Sequence, residues 1–253
     1  MKRRRVLLGV VTLVLGACNT AEPTDATSSL EGELLISAAA SLTDAFGEIE
    51  TVFEDANPGV DVVLNLGPSS GLREQILEGA PADVFAPANT SNMDQVVEAG
   101  VAADPEIFVR NLLQIATPSG NHGEVEGLED FGREGLFIGL CAEGVPCGDF
   151  AREALANAGV TPAIDSNEPD VRALLTKVEA GELDAGIVYV TDVLSTGGSV
   201  EGVDIPEDQN VVAEYPIATL AGAPNPDAAT AFVEFVLSEE GQAILVEYGF
   251  ASP

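Results

Sequence analysis

The chain reads as an α/β protein of two lobes, each a mixed, mainly parallel sheet flanked by helices. Three observations predict this. From Glu33 onward, short apolar runs alternate with helical patterns, the order that builds parallel sheets covered on both faces. The theme then repeats in a second stretch, with the chain leaving the first lobe near Leu112 and returning near Ile217. The length of 253 residues, 46% of them hydrophobic, suits one large domain or two modest ones and is too apolar for disorder. The resulting division is residues 33–112 plus 217–253 for lobe 1 and residues 113–216 for lobe 2.

The elements follow in order. Leu34-Leu35-Ile36 is a buried strand running into small residues, Ser37 to Ala40. Ser41 opens a helix whose apolar positions 42, 45, 46, 49, 52 and 53 share one face, and Asp44 three residues on makes a variant capping box. Asn57-Pro58-Gly59 stops it. Val60–Leu66 is a strand, Gly67 to Gly71 a turn, and Leu72–Glu78 a helix closed by Gly79. Asp83–Ala86 and Met93–Ala99 complete the first β-α-β-α-β-α run. In the second, Leu112–Thr117 and Leu136–Leu140 are strands and Gly148–Ala158 a helix. Pro169 begins a helix with apolar positions 171, 174, 175 and 178, closed by Gly181. Ala185–Val190 and Ile217–Leu220 are strands, and helices at 227–237 and 239–248 end the chain.

The N-terminus reads as a targeting segment. Lys2, Arg3, Arg4 and Arg5 form a positive stretch, and Val6–Leu15 is an apolar run too short to span a bilayer comfortably. Leu15-Gly16-Ala17-Cys18 resembles a bacterial lipobox, in which the cysteine becomes the lipidated first residue. A plain signal peptide with an incidental cysteine is the alternative. Residues 1–17 are then the signal and residues 18–32 a flexible tether rich in Thr, Ser, Ala, Glu and Pro. This places the protein outside the cytoplasm, anchored to the cell membrane of a bacterium by its lipid.

Charge excludes several partners. There are 10 Lys and Arg against 42 Asp and Glu, a net charge of −32, and four of the basic residues lie in the signal. Nucleic acid and anionic lipid surfaces would be repelled. The acidic face reads as solubility or tolerance of salt, and a monomer is expected. Cys141 and Cys147 form a local disulfide or two small buried residues; an oxidising location favours the bond. No metal is expected, because one histidine (His122, in a turn) and no clustered Cys/His spacing cannot make a zinc site. The same single histidine, without a Gly-x-Ser-x-Gly elbow, argues against a serine hydrolase. Acid pairs are too plentiful for counting to exclude a glycosidase, but nothing brings two together. The protein is therefore read as not an enzyme, with no cofactor.

The chemistry is expected at helix starts. Ser41, Ser69-Ser70, Cys147-Gly148 and Asp170-Val171 all stand at predicted helix N-termini, where unpaired N–H groups and partial positive charge attract anions. In open α/β sheets such turns gather at the carboxyl ends of the strands. The competing explanation for the serines is that each caps its own helix.

Several segments resemble, in order, the molybdate-binding (ModA-type) proteins of ABC importers. Ser37 to Ala45, Gly67 to Ile76 and Gly79 to Phe85 match in the first half. Val145-Pro146-Cys147-Gly148, Asp170 to Leu174 and Gly186 to Asp192 match in the second, with Tyr215 to Ala218 and Tyr248-Gly249-Phe250 near the end. The resemblance covers residues 33–253. It implies a type II periplasmic-binding fold with hinge crossovers, closing on a tetrahedral dianion. By motif, the implied ligands are the hydroxyls of Ser41 and Ser69, the backbone N–H groups of Cys147 and Val171, and the phenol of Tyr189. Ser70 is a further candidate donor or simply the helix cap, and Pro68 has no N–H to offer. Cys147 stands where the family often has Ala, which a backbone donor tolerates. Tyr189 also reads as a core-edge aromatic.

No matched position is Arg or Lys. A site of neutral donors rejects hydrogen phosphate, whose proton would face no acceptor, and takes fully ionised molybdate, tungstate or sulfate. The negative surface opposes anions only at long range, since salt screens beyond about 10 Å. The expectation is a lipoprotein that captures molybdate or tungstate and passes it to a membrane permease driven by a cytoplasmic ATPase. Receptors for sulfate, phosphate or a small organic acid, and an extracytoplasmic hydrolase, are the alternatives.

Overall fold

The computed structural model describes residues 29–253. The signal, Cys18 and all but the end of the expected tether lie outside the described residues. The ordered elements begin with β1 (Gly32–Ala39), a short 3-10 turn (Ala40–Leu42) and α1 (Thr43–Ala56). They continue through β2 (Val60–Gly67), α2 (Ser69–Leu77), β3 (Val84–Ala86), α3 (Thr90–Glu98) and β4 (Glu106–Pro118). The second half contains β5 (Ile138–Cys141), α4 (Pro146–Asn157), β6 (Ser166–Glu168), α5 (Val171–Glu179) and β7 (Ala185–Tyr189). It closes with α6 (Val190–Ser195), β8 (Val200–Asp204), β9 (Val212–Thr219), α7 (Pro226–Leu237) and α8 (Glu239–Glu247).

The strands run in the order β2-β1-β3-β9-β4-β7-β5-β6, with β8 also on β4. β1 lies parallel to both β2 and β3, and β5 parallel to both β6 and β7. The junctions are antiparallel. β4 pairs β9 over Glu106–Leu112 and then turns to β7 and β8 from Leu113 onward. The fold is thus mixed α/β, with parallel strands at both ends and long antiparallel strands joining them. β4 starts six residues before the expected Leu112, and β9 five before Ile217. Their outer parts carry polar residues such as Arg110 and Glu214, an exposed ion pair at 3.0 Å, and this broke the apolar run on which the prediction rested. Periodicity does not show β6, β8 or α6, because each is six residues or shorter.

Apolar packing sets α1 in place. Phe46 and Phe53 are buried, and both meet Phe232 of α7 edge-on, at 6.0 and 5.3 Å between ring centres. Each such ring contributes about 1.5–3 kcal/mol by burial. The first turn of α1 therefore cannot drift from the end of β1. In the second half, Cys141 and Cys147 form a disulfide. It ties the end of β5 to the first turn of α4.

Candidate anion-binding site

Four chain turns converge on one small cavity: those after β1, β2, β5 and β6. Ser41, Ser69, Cys147, Val171 and Tyr189 all line it. Its volume is about 10 Å³, space for one compact guest, whereas organic-ligand pockets run from about 300 Å³. Neither lysine nor arginine is among the lining residues. Asp170 is, but its carboxylate caps α5 by accepting from the Ala173 N–H at 2.9 Å. Ser70 is absent from the lining, so the sequence candidate for an extra donor stands outside the cavity.

The two serines do not cap their helices. No side chain caps α1, which begins at Thr43, two residues beyond Ser41. The expected capping box fails for the same reason, and Asp44 instead pairs with Arg172. Ser41 is buried and its Oγ lies 2.9 Å from the Tyr215 hydroxyl. Pro68 is the N-cap of α2, with φ locked by its ring, so Ser69 is the first helical residue rather than the cap. The Ser69 Oγ accepts from the Ala88 N–H at 3.0 Å. Elsewhere α3, α5 and α8 carry ordinary side-chain caps from Asn89, Asp170 and Ser238.

The backbone donors are equally free. Cys147 and Val171 sit in the first turns of α4 and α5, where an N–H has no intrahelical acceptor. Among the described residues no other carbonyl takes either of them. α4 is pressed close to its preceding loop: a Cβ at Gly148 would lie 2.0 Å from the Ala142 carbonyl oxygen. Only glycine allows that approach, and Arg152 reinforces it by donating to the carbonyls of Cys141 and Gly148, both at 2.8 Å.

Tyr189 ends β7 and is 1% exposed, yet among the described residues its hydroxyl has no partner. A buried phenol normally finds one. Burial, with the charge of Asp192 adding, holds this phenol well above its ordinary pKa, so it stays a donor. Asp192 is fully buried and accepts from the Tyr189 N–H at 3.0 Å. Burial raises its pKa to about 7 even though Arg172, 3.4 Å away, pulls it down. Arg172 also bonds Asp44 of α1 and donates to Ser195 of α6 at 3.0 Å. Sequence reasoning gave no role to Tyr215, Arg172 or Asp192. The one available signal was a tyrosine inside the otherwise small and apolar run around Pro216-Ile217-Ala218.

A mixed α/β body whose helix starts and neutral hydroxyls enclose a compact cavity is a receptor for a small anion in its architecture. The chain belongs to the bacterial extracellular solute-binding protein family, whose model matches residues 34–251. It is 39% identical to the molybdate-binding protein ModA of Mycobacterium tuberculosis, over 94% of this chain and 90% of that protein. It resembles the substrate-binding domain of a molybdenum ABC transporter from Clostridium difficile, with 31% identity, a TM-score of 0.66, and 87% and 99% of the two chains covered. The periplasmic molybdate-binding protein of Azotobacter vinelandii shares the fold, at 17% identity and a TM-score of 0.77 over 87% and 99%. These findings agree with the resemblance read from the sequence motifs and place the chain among extracytoplasmic solute-binding proteins. Among the described residues no helix is long and apolar enough to cross a membrane.

Proposed function

We propose that the protein captures molybdate, with tungstate as its close mimic, and delivers it to an ABC permease driven by a cytoplasmic ATPase. The observation that carries this is the cavity lined by Ser41, Ser69, Cys147, Val171 and Tyr189, with an orphaned phenol and no cationic side chain. Neutral donors spread a dianion's charge over several dipoles, and each bond to it is charge-assisted. The small volume disfavours an organic acid, and hydrogen phosphate would find only the Asp170 carboxylate, already engaged by the Ala173 N–H, to take its proton. The names of the relatives support molybdate over sulfate. Residues 33–112 with 217–253 and residues 113–216 act as two lobes that close by a hinge on the ion, and a lipid on Cys18 holds the monomer at the membrane.

Calorimetric titration with molybdate, tungstate, sulfate and phosphate tests this. Tight binding of the first two, weaker sulfate and negligible phosphate is the expected order. Absence of heat and of any thermal shift with molybdate rules the reading out. Tighter sulfate than molybdate replaces it with a sulfate receptor.

A further inference from the structure

Tyr215 lies on β9, is fully buried and does not line the cavity. Its hydroxyl is nevertheless 2.9 Å from the Oγ of Ser41, which does. The ring is fixed from three sides, edge-on to Tyr189, Phe108 and Phe250 at 6.1, 6.4 and 5.7 Å between centres. We propose that Tyr215 is a positioning and specificity-determining residue, whose hydroxyl, by donating to Ser41, turns the serine proton into the cavity and makes Ser41 donor-only. The inference rests on the oxyanion reading above.

A hydroxyl has one hydrogen to give. Either oxygen of the Ser41–Tyr215 pair can donate, and the Asn111 amide and the Tyr189 hydroxyl also act on the Tyr215 phenol; in the proposed arrangement the phenolic proton goes to Ser41. Ser41 must then give its own proton elsewhere, and the cavity is where it is needed. Ser69 is set the same way by a donor that cannot reverse, the Ala88 N–H. Both serine oxygens are thus engaged from behind. A bare dianion completes the chain Tyr215 to Ser41 to guest with every bond pointing one way, and such chains strengthen cooperatively. A protonated guest needs an acceptor, and supplying one here means reversing the whole chain. Burial keeps that proton in place by holding the phenol well above its ordinary pKa, against the opposing pull of its Ser41 bond.

The experiment is titration of wild type, Y215F, S41A and Y215F/S41A with molybdate, sulfate and, at pH 6, phosphate. In Y215F, molybdate and sulfate affinities should fall together by about tenfold, the loss of about one charge-assisted hydrogen bond. Phosphate affinity should not fall, so the molybdate-to-phosphate ratio contracts by the same factor. In the S41A background, Y215F should change nothing further. A proportional loss for all three anions, or an equal loss with and without Ser41, means that the ring acts by packing and overturns the inference. If Y215F does not fold, 3-fluorotyrosine at 215 keeps the ring and makes its hydroxyl a stronger donor. Molybdate affinity should then rise relative to phosphate, and an unchanged ratio overturns the inference. Wild type that binds no oxyanion overturns both this and the oxyanion reading; wild type that binds while Y215F matches it overturns only this one.

Discussion

A buried hydroxyl with no partner costs about 1–3 kcal/mol, and among the described residues no protein group bonds the Tyr189 hydroxyl. Removing it should therefore separate binding from folding. Tyr189→Phe is expected to lower molybdate affinity by about tenfold while the melting temperature of the free protein stays level or rises. Ser41→Ala should weaken binding similarly but also lower the melting temperature, because it strands the Tyr215 hydroxyl. Calorimetry and a melting curve on each variant check both; equal affinity in the two variants and wild type removes the site assignment. Asp192 makes a pH prediction. Its folded pKa, about 7, lies above its ordinary value of 3.8, so the folded state binds more protons between the two. Its contribution to stability is full below about pH 4 and is lost as pH rises through about 7. Asp192→Asn still offers an acceptor to the Tyr189 N–H but cannot titrate. The stability difference, wild type minus variant, should fall across that window. A flat difference would mean that Asp192 is charged at all these pH values.

At the scale of elements, the first turn of α4 is held by the disulfide and by the Arg152 bonds to the carbonyls of Cys141 and Gly148. The disulfide closes a short loop that ends on Cys147, the proposed backbone donor, so it restrains both the unfolded chain and the cavity wall. For a loop this short the chain-entropy model gives about 2 kcal/mol. Cys141→Ser combined with Cys147→Ser should lower the melting temperature and weaken molybdate binding, whereas the same pair of changes would leave affinity untouched if the bond only stabilised the fold. This turn also illustrates what was legible beforehand. Val145-Pro146-Cys147-Gly148 announces a helix start through its proline and a close approach through its glycine, and both are local chemistry. Ser41, Ser69, Val171 and Tyr189 were found through ordered motifs, and the structure gathers them around one cavity. Tyr215 and Arg172 could not be read in that way. Their partners, Ser41 and Asp44, stand 174 and 128 residues away, and no local pattern encodes a pairing across that distance. The capping box at Ser41 failed for a related reason: the hydroxyl had a tertiary partner better than its own helix.

For the molecule as a whole, the ion pair between Asp44 and Arg172 has a telling position. Asp44 stands three residues after Ser41 on α1, and Arg172 immediately follows Val171 on α5, so the pair links two sides of the cavity beside the donors themselves. If the protein works by closing two lobes on its guest, this contact belongs to the closed form and is absent from the open one. Arg172 is a poor place to test it, because losing its charge would also push the buried Asp192 further toward its protonated form and change stability by itself. Asp44→Asn is cleaner: Asp44 is 40% exposed, and Arg172 keeps Asp192 and Ser195. An exposed pair is worth about 0.2–1 kcal/mol, so the closed population and the molybdate affinity should fall by about 1.4- to fivefold. The loss should be greatest at low salt and fade as ionic strength screens the wild-type pair. Small-angle scattering should find the unliganded variant more extended than wild type and the two indistinguishable with molybdate bound. A variant whose affinity, salt dependence and unliganded dimensions all match wild type would show that Asp44 and Arg172 do not govern closure.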